Sequence, residues 1–252
     1  MGNNAQAPEL AVGGTAGPFR LIWGALATGL SVLWTTMLAP FAALFAAIDR
    51  PNWVAAVGRL WAWLIIRTCG VTVEIEGLEN LAGLDACILV SNHQSFFDIF
   101  AALAFIPGQV RFVAKKELLQ IPLIGYALKN SEHVVIDRDS GGGAIRKAVK
   151  IIRSGRLMCV FAEGHRFSDN RVHEFSEGAA WLALAAKVPC VPLAFSGTAA
   201  FFPRKAKVVV PGGRMRMTVG KPIGVDGLSS EDRAGLTRRL EDAVRAAFVT
   251  DL

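Results

Sequence analysis

The longest uncharged stretch of this 252-residue chain lies near its start and limits how that part can fold. No charged residue occurs in the 28 positions from Leu21 to Ile48. A helix of that length would measure roughly 42 Å, more than the hydrocarbon core of a membrane, which is about 30 Å thick. Pro40 is expected to kink or break such a helix. The stretch predicts an apolar helix that associates with a membrane.

A second apolar segment, Trp53 to Ile66, carries only one charged residue, Arg59. Three geometries fit the two segments: a spanning helix followed by an interfacial helix, a hairpin that enters one leaflet, and a buried core hairpin of a soluble protein. Five of the six tryptophans lie in the first 63 residues, and tryptophan prefers the membrane–water boundary. Basic residues follow the apolar stretch more than they precede it, which predicts a catalytic part on the cytoplasmic face of the membrane.

Beyond residue 69 the pattern changes to alternating strands and helices, which is typical of an α/β fold with a mixed, mainly parallel sheet flanked by helices. We therefore predict a polar N-terminal tail (1–19), a membrane-associated helical segment (20–69) and one α/β domain (70–252). The last two strands follow each other closely and predict an antiparallel edge. The predicted strands are Val71–Glu76, Cys87–Ser91, Val110–Ala114, His133–Ile136, Leu157–Ala162, Cys190–Phe195, Ala206–Val210 and Met215–Val219.

The predicted helices of this domain are Phe97–Phe105, Leu123–Lys129, Ala144–Ser154, Glu177–Ala186 and Glu231–Phe248. A flexible loop is expected at Ser140–Gly143, because three consecutive glycines precede a helix. The four cysteines have no paired spacing, so we expect free, buried thiols.

A histidine and an aspartate stand five positions apart directly after the predicted strand Cys87–Ser91. His93 lies in the strand-to-helix turn and Asp98 in the first turn of the next helix, so the carboxylate can accept the proton of one imidazole nitrogen. The other nitrogen is then available to take a proton from a substrate hydroxyl near neutral pH. The simpler alternative is a capping aspartate beside a structural loop histidine. The rest of the chain favours the catalytic interpretation.

The net charge of +6 comes from one segment, Arg111 to Arg156, which holds ten Lys or Arg against four Asp or Glu. Such a segment suits an anionic partner: a phosphate-bearing substrate, lipid headgroups or nucleic acid. Nucleic acid is disfavoured because aromatic residues are not interleaved with these charges. A serine esterase is disfavoured because the chain has no G-x-S-x-G motif. No ligand pair has the spacing of a zinc site.

Four sequence blocks occur in the order typical of one enzyme family. They are His93 to Asp98, Val113-Ala114-Lys115-Lys116-Glu117-Leu118 with the following Pro122, Phe161-Ala162-Glu163-Gly164-His165-Arg166, and Val188-Pro189-Cys190-Val191-Pro192. With the later Gly220-Lys221-Pro222, they resemble the glycerolipid acyltransferase family over roughly half the chain. The best-known members of that family are the lysophosphatidic acid acyltransferases.

The resemblance implies a role for each motif residue. His93 would be the general base on an acceptor hydroxyl, and Asp98 would orient it. Lys115 and Arg166 would hold the acceptor's phosphate, while Glu163 and Gly164 would shape the acceptor pocket, with Glu163 near the glycerol hydroxyl. The acyl group would come directly from acyl-CoA or acyl carrier protein, without a metal or cofactor. The acceptor would be 1-acylglycerol-3-phosphate and the product phosphatidic acid, made by a membrane-bound enzyme.

The third block departs from the family pattern. Ala162 stands where proline is usual, His165 where threonine is usual, and Ser176 and Glu177 where a lysine is often found. These changes bear on the acceptor, so another lysolipid or glycerol-3-phosphate remains an alternative. A different class, a non-catalytic membrane protein that binds anionic lipid, would need neither His93 nor Asp98.

Overall fold

The computed structural model describes residues 18–115, 119–120, 125–126, 133–136, 141–203 and 206–252. Nearly all of the predicted tail (1–19) and most of the helix predicted at Leu123–Lys129 lie outside these residues. The helices are α1 (Pro18–Ala47), α2 (Pro51–Thr68), α3 (Phe96–Phe105), α4 (Gly141–Arg153), α5 (Gly178–Ala186) and α6 (Arg233–Ala247). The strands are β1 (Val71–Glu76), β2 (Cys87–Ser91), β3 (Val110–Lys115), β4 (Val134–Ile136), β5 (Leu157–Phe161), β6 (Cys190–Ser196) and β7 (Gly213–Val219).

The strands form one sheet in the order β1-β7-β6-β2-β5-β3-β4. The five strands from β6 to β4 run parallel, whereas β7 is antiparallel to β6, and β1 is parallel to β7. The predicted mixed, mainly parallel α/β fold is therefore confirmed. The central strand β2 is buried along its whole length, as expected for an apolar run covered on both faces.

Each face of the sheet has its own apolar core. On one face α2 and α3 contribute Ile66 and Phe97, and on the other α4 and α6 contribute Ile152 and Leu240. The four cysteines are buried free thiols, as predicted. Burial raises the pKa of Cys87 and Cys190 to about 12, so these thiols stay protonated at neutral pH.

The predicted N-terminal hairpin is present. Helix α1 continues through Pro40, so the expected break does not occur. It returns through a turn at Asp49, which has a left-handed backbone (φ 52°), into α2. The indole N–H groups of Trp34 and Trp61 donate across the hairpin, to the hydroxyls of Thr68 (3.1 Å) and Thr35 (2.9 Å).

The hairpin is attached to the α/β domain. Arg20 donates to the Pro211 carbonyl, and the Thr28 hydroxyl accepts the Val209 N–H at 3.1 Å. Arg59 of α2 donates to the carbonyls of Ile106 and Gly108, just after α3. Helix α1 is long and apolar enough to cross a membrane, and its most apolar window is not buried in the protein. Helix α1 is therefore not part of a buried core hairpin, which was the third geometry considered from the sequence.

Two local predictions are wrong. The segment Ala206–Val210 is not a strand, because its backbone bonds irregularly: the Val210 N–H donates to the Phe201 carbonyl (2.8 Å), and the Val209 N–H donates to α1. The loop predicted at Ser140–Gly143 is the second: its three glycines form the first turn of α4.

Candidate active site

The chain leaves β2 in a fixed direction because Asn92 is bonded to a neighbouring strand. Its side-chain amide donates to the Phe195 carbonyl (2.8 Å) and accepts the Phe195 N–H (2.9 Å). Asn92 is fully buried, so both bonds are shielded from water. His93 therefore starts the β2–α3 loop from an anchored position.

The predicted hydrogen bond between the histidine and the aspartate is present. Nδ1 of His93 lies 2.8 Å from Oδ2 of Asp98. The same oxygen accepts the N–H groups of Gln94 (2.7 Å) and Ser95 (2.9 Å). Ser95 is the N-cap of α3, and with Asp98 it forms a capping box. Capping and histidine orientation, proposed as alternatives from the sequence, are performed by one carboxylate.

This environment sets the protonation pattern of the imidazole. Oδ2 of Asp98 already accepts two backbone N–H groups, so it also meets the ring as an acceptor; in a neutral imidazole the proton then lies on Nδ1 and the lone pair on Nε2. The ring stacks on Phe161, the last residue of β5, with centroids 3.8 Å apart and planes at 18°. The side chain of His93 remains 13% exposed. The arrangement holds a basic nitrogen in a fixed plane where a substrate can reach it.

The loop after β5 contributes the next two predicted residues. The Glu163 carboxylate is buried and accepts backbone N–H groups with both oxygens, from His93 (2.8 Å) and His173 (2.9 Å). Burial raises the pKa of Glu163 to about 7, because desolvation outweighs these two hydrogen bonds. Gly164 follows with φ +71°, a conformation that favours glycine, and is exposed.

The two predicted phosphate-binding residues lie at the same end of the sheet. The Arg166 guanidinium sits 4.0 Å above the ring of Phe96, the first residue of α3. Lys115 is the last residue of β3, and its side chain lies outside the described part of the chain. Because β2, β5 and β3 are parallel neighbours, their carboxyl ends bring His93, Glu163 and Lys115 to one edge.

A second imidazole–carboxylate pair lies in the loop between β5 and α5. His173 Nε2 is 2.8 Å from Asp169 Oδ2, and the ring stacks on Phe167 at 3.8 Å. The Phe167 N–H donates to the His93 carbonyl (2.9 Å), which links the two loops. The ring of His133 accepts the Phe112 N–H at 3.0 Å. Among the described residues, no group of three or more His, Cys, Asp or Glu side chains is placed to hold a metal ion.

An apolar groove of about 270 Å³ lies beside this edge, between the hairpin and α3. Phe96, whose ring carries the Arg166 guanidinium, is one of its walls. The groove is lined by Thr28, Ser31, Val32, Thr35, Thr36, Trp61, Ile65, Phe96, Phe97, Phe100, Phe202 and Val209.

Comparison with known proteins places the chain in a family. Residues 72–196, which contain His93 and Arg166, match the Acyltransferase family model. The chain is 34% identical over 210 residues to a chloroplastic 1-acyl-sn-glycerol-3-phosphate acyltransferase of Brassica napus, covering 81% of this chain and 60% of the relative. It is 27% identical to the 1-acyl-sn-glycerol-3-phosphate acyltransferase of Pseudomonas aeruginosa, covering 87% of this chain and 82% of the relative.

A solved structure agrees. The 1-acyl-sn-glycerophosphate (LPA) acyltransferase PlsC of Thermotoga maritima superposes with a TM-score of 0.78 and 25% identity, covering 90% of this chain and 95% of that one. This chain belongs to the glycerolipid acyltransferase family. It spans less than two thirds of the length of the plant acyltransferases that it matches.

The structure shows what two departures from the acyltransferase pattern do. The N–H of Ala162 donates to the Ser91 carbonyl at 2.9 Å and extends the pairing of β2 with β5, which a proline could not do. The Ser176 hydroxyl donates to the Ala162 carbonyl (2.9 Å), and Glu177 lies near Arg233. Ala162, Ser176 and Glu177 therefore contact other residues of the α/β domain.

Sequence reasoning missed three residues that shape this candidate site. Asn92 anchors the loop, Phe161 fixes the imidazole plane and Phe96 supports Arg166. Asn92 and Phe96 lie inside or beside the His-x₄-Asp block, so their proximity to His93 was visible in the sequence. Phe161 depends on β2 pairing with β5, which the sequence alone does not specify.

Proposed function

We propose that this protein is a membrane-associated O-acyltransferase. It moves a fatty acyl group from acyl-CoA or acyl carrier protein to the free hydroxyl of 1-acylglycerol-3-phosphate and forms phosphatidic acid. The observation that carries the proposal is the buried Asp98 carboxylate bonded to Nδ1 of His93, because this contact leaves a lone pair on Nε2. Its relatives are named as acyltransferases for this acceptor.

The proposed reaction uses His93, Asp98 and the two substrates. Nε2 of His93 takes the hydroxyl proton as the oxygen attacks the thioester carbonyl. Asp98 stabilises the imidazolium that forms. The tetrahedral intermediate then collapses, the carbon–sulfur bond breaks, and the thiolate leaves and takes up the proton. The N–H groups of Gln94 and Ser95 are engaged by Asp98, so other donors would stabilise the oxyanion.

Lys115 and Arg166 are proposed to bind the acceptor's phosphate, since a guanidinium and an ammonium suit a dianion. Phe96 supports this placement by holding the Arg166 guanidinium beside the His93 loop. Gly164 shapes the acceptor pocket at its exposed surface, and Glu163 does so from beneath. Fixing the phosphate brings the free hydroxyl close to His93 and lowers the barrier through proximity.

The hairpin is proposed to enter one leaflet, with the catalytic domain on the cytoplasmic face. Helix α1 is bonded to the domain in its N-terminal half, through Thr28, whereas α2 is bonded to it halfway along, through Arg59, and beside the turn, where Asn52 accepts from Gln109. The exposed apolar side chains suit lipid. They include Phe19, Leu21, Ile22, Leu26, Val32, Met37, Phe41, Leu44, Ile48 and Trp53.

A substrate panel tests the function. Purified protein in mixed micelles receives labelled acyl-CoA or acyl carrier protein with lysophosphatidic acid, lysophosphatidylcholine or glycerol-3-phosphate. We expect acylation of lysophosphatidic acid with the highest kcat/KM. A preference for another acceptor would replace the acceptor assignment. Vesicle binding without acyl transfer to any acceptor would favour the non-catalytic lipid-binding alternative.

A further inference from the structure

Glu163 is oriented toward the protein interior. Its side chain leaves the loop directly after β5, and the residue is only 7% exposed. Oε2 lies 2.8 Å from the backbone nitrogen of His93, and Oε1 lies 2.9 Å from that of His173. The two oxygens therefore bridge the backbone N–H groups of His93 and His173, which are 80 positions apart in the sequence.

We infer that Glu163 is a positioning residue that holds the backbone of His93, and that it does not contact the acceptor. This inference rests on the proposed function for the part that concerns catalysis. The His93 peptide is held on both sides by the same loop, because its N–H donates to Glu163 and its carbonyl accepts the Phe167 N–H at 2.9 Å. The Ala162 N–H, which donates to Ser91, adds a third connection immediately before Glu163.

A carboxylate suits this position better than any other side chain of its length. Two backbone N–H groups approach from different loops, so the side chain must offer two acceptors and no donor. Glutamine has one acceptor, and its amide N–H₂ would face the second backbone N–H. Leaving that N–H unsatisfied in a buried place is costly. Burial disfavours the charge and raises the pKa of Glu163 to about 7, whereas the two backbone N–H contacts favour the charged form.

The two possible roles of Glu163 predict different kinetics. A positioning residue acts through His93, so Glu163→Gln should lower kcat by about 10- to 100-fold, with the KM of both substrates changed less than about twofold. A residue that contacts the acceptor would raise the acceptor KM and spare kcat. The matched control is Glu174→Gln, because Glu174 is an exposed glutamate of the same loop. A higher acceptor KM with unchanged kcat in Glu163→Gln would overturn the inference.

Amide hydrogen exchange tests the same contact without using activity. In Glu163→Gln, the amide of His93 or of His173, or both, should exchange faster than in the wild type, while Glu174→Gln should match the wild type. Unchanged exchange at both amides would overturn the inference even if the protein is an acyltransferase. If the wild type transfers no acyl group, the proposed function fails, and the exchange result still decides the contact.

A second variant covers the case in which Glu163→Gln does not fold. Glu163→Asp keeps the charge but is one methylene shorter, so it can reach only one of the two N–H groups. We expect faster exchange at one of the two amides. The kcat should lie between those of the wild type and Glu163→Gln. If only the aspartate variant folds, its kcat should be about 10-fold below that of the wild type. Wild-type kcat and exchange in Glu163→Asp would contradict the bridge.

Discussion

The molecule contains two imidazole–carboxylate pairs with nearly the same contact geometry and different surroundings. In both, a ring nitrogen lies 2.8 Å from a carboxylate oxygen, and the imidazole stacks on a phenylalanine at 3.8 Å. In the pair of His93 and Asp98 the carboxylate is fully buried, whereas the side chains of His173 and Asp169 are 33% and 21% exposed.

The difference lies in how the carboxylate is held. Oδ2 of Asp98 accepts two backbone N–H groups besides the imidazole, within a capping box that fixes its place on α3. Asp169 and His173 are four residues apart in one loop and are partly exposed, and ion pairs that water can reach contribute little. Burial and backbone anchoring therefore distinguish a candidate catalytic pair from a surface pair, whereas the contact distance does not. Four predictions test this conclusion.

The largest effect is expected for His93→Ala. Removing the base should lower kcat by about 100- to 10,000-fold, because general-base catalysis contributes on that scale. The variant should fold, since Asn92, which anchors the loop, is retained. Acyl transfer from labelled acyl-CoA to lysophosphatidic acid measures the rate, and circular dichroism checks the fold. A wild-type rate would remove His93 from the mechanism.

A smaller loss is expected for Asp98→Asn, which tests the charge separately from the cap. An asparagine oxygen can replace Oδ2 in its three hydrogen bonds but cannot stabilise the imidazolium by charge. We expect kcat to fall by about 100-fold while the melting temperature changes little. Asp169→Asn, the same change in the exposed pair, should retain activity. Equal losses in both variants would mean that burial does not distinguish the pairs.

Arg166→Ala tests the guanidinium group in the loop between β5 and α5, which also contains Asp169 and His173. Loss of charge-assisted hydrogen bonds to a phosphate should raise the KM of lysophosphatidic acid by about 10- to 100-fold and leave that of acyl-CoA nearly unchanged. The exposed Arg171 of the same loop gives the control, Arg171→Ala. Initial rates at varied concentrations of each substrate separate the two constants. An unchanged acceptor KM would exclude Arg166 from phosphate binding.

The sequence predicted contacts between neighbouring residues of the site better than contacts between residues far apart in the chain. The placement of His93 and Asp98 was accessible because a capping box involves only a few consecutive residues. The contact of Glu163 with His93 joins residues 70 positions apart and depends on β2 pairing with β5. The pair of His173 and Asp169 depends on the path of an irregular loop, for which no periodicity exists to read.

The fold shows the same division. Alternating apolar runs predicted the sheet because β2 and β6 are buried over their whole length. The same criterion failed at Ala206–Val210, an apolar run that packs against α1. Val208 is exposed there, so an apolar run specifies neither burial nor the partner of its backbone N–H groups.

The smallest effect is expected for His173→Ala, which removes the exposed imidazole but leaves its backbone N–H to bind Glu163. The bridge to His93 is therefore retained, and only the ring contact with Phe167 and the bond to Asp169 are lost. We expect kcat and KM within about threefold of the wild type and a loss in unfolding free energy of about 1 kcal/mol or less. Steady-state kinetics and urea denaturation measure both. A loss comparable to that of His93→Ala would show that the exposed pair takes part in the chemistry, and that two pairs so alike in distance are also alike in function.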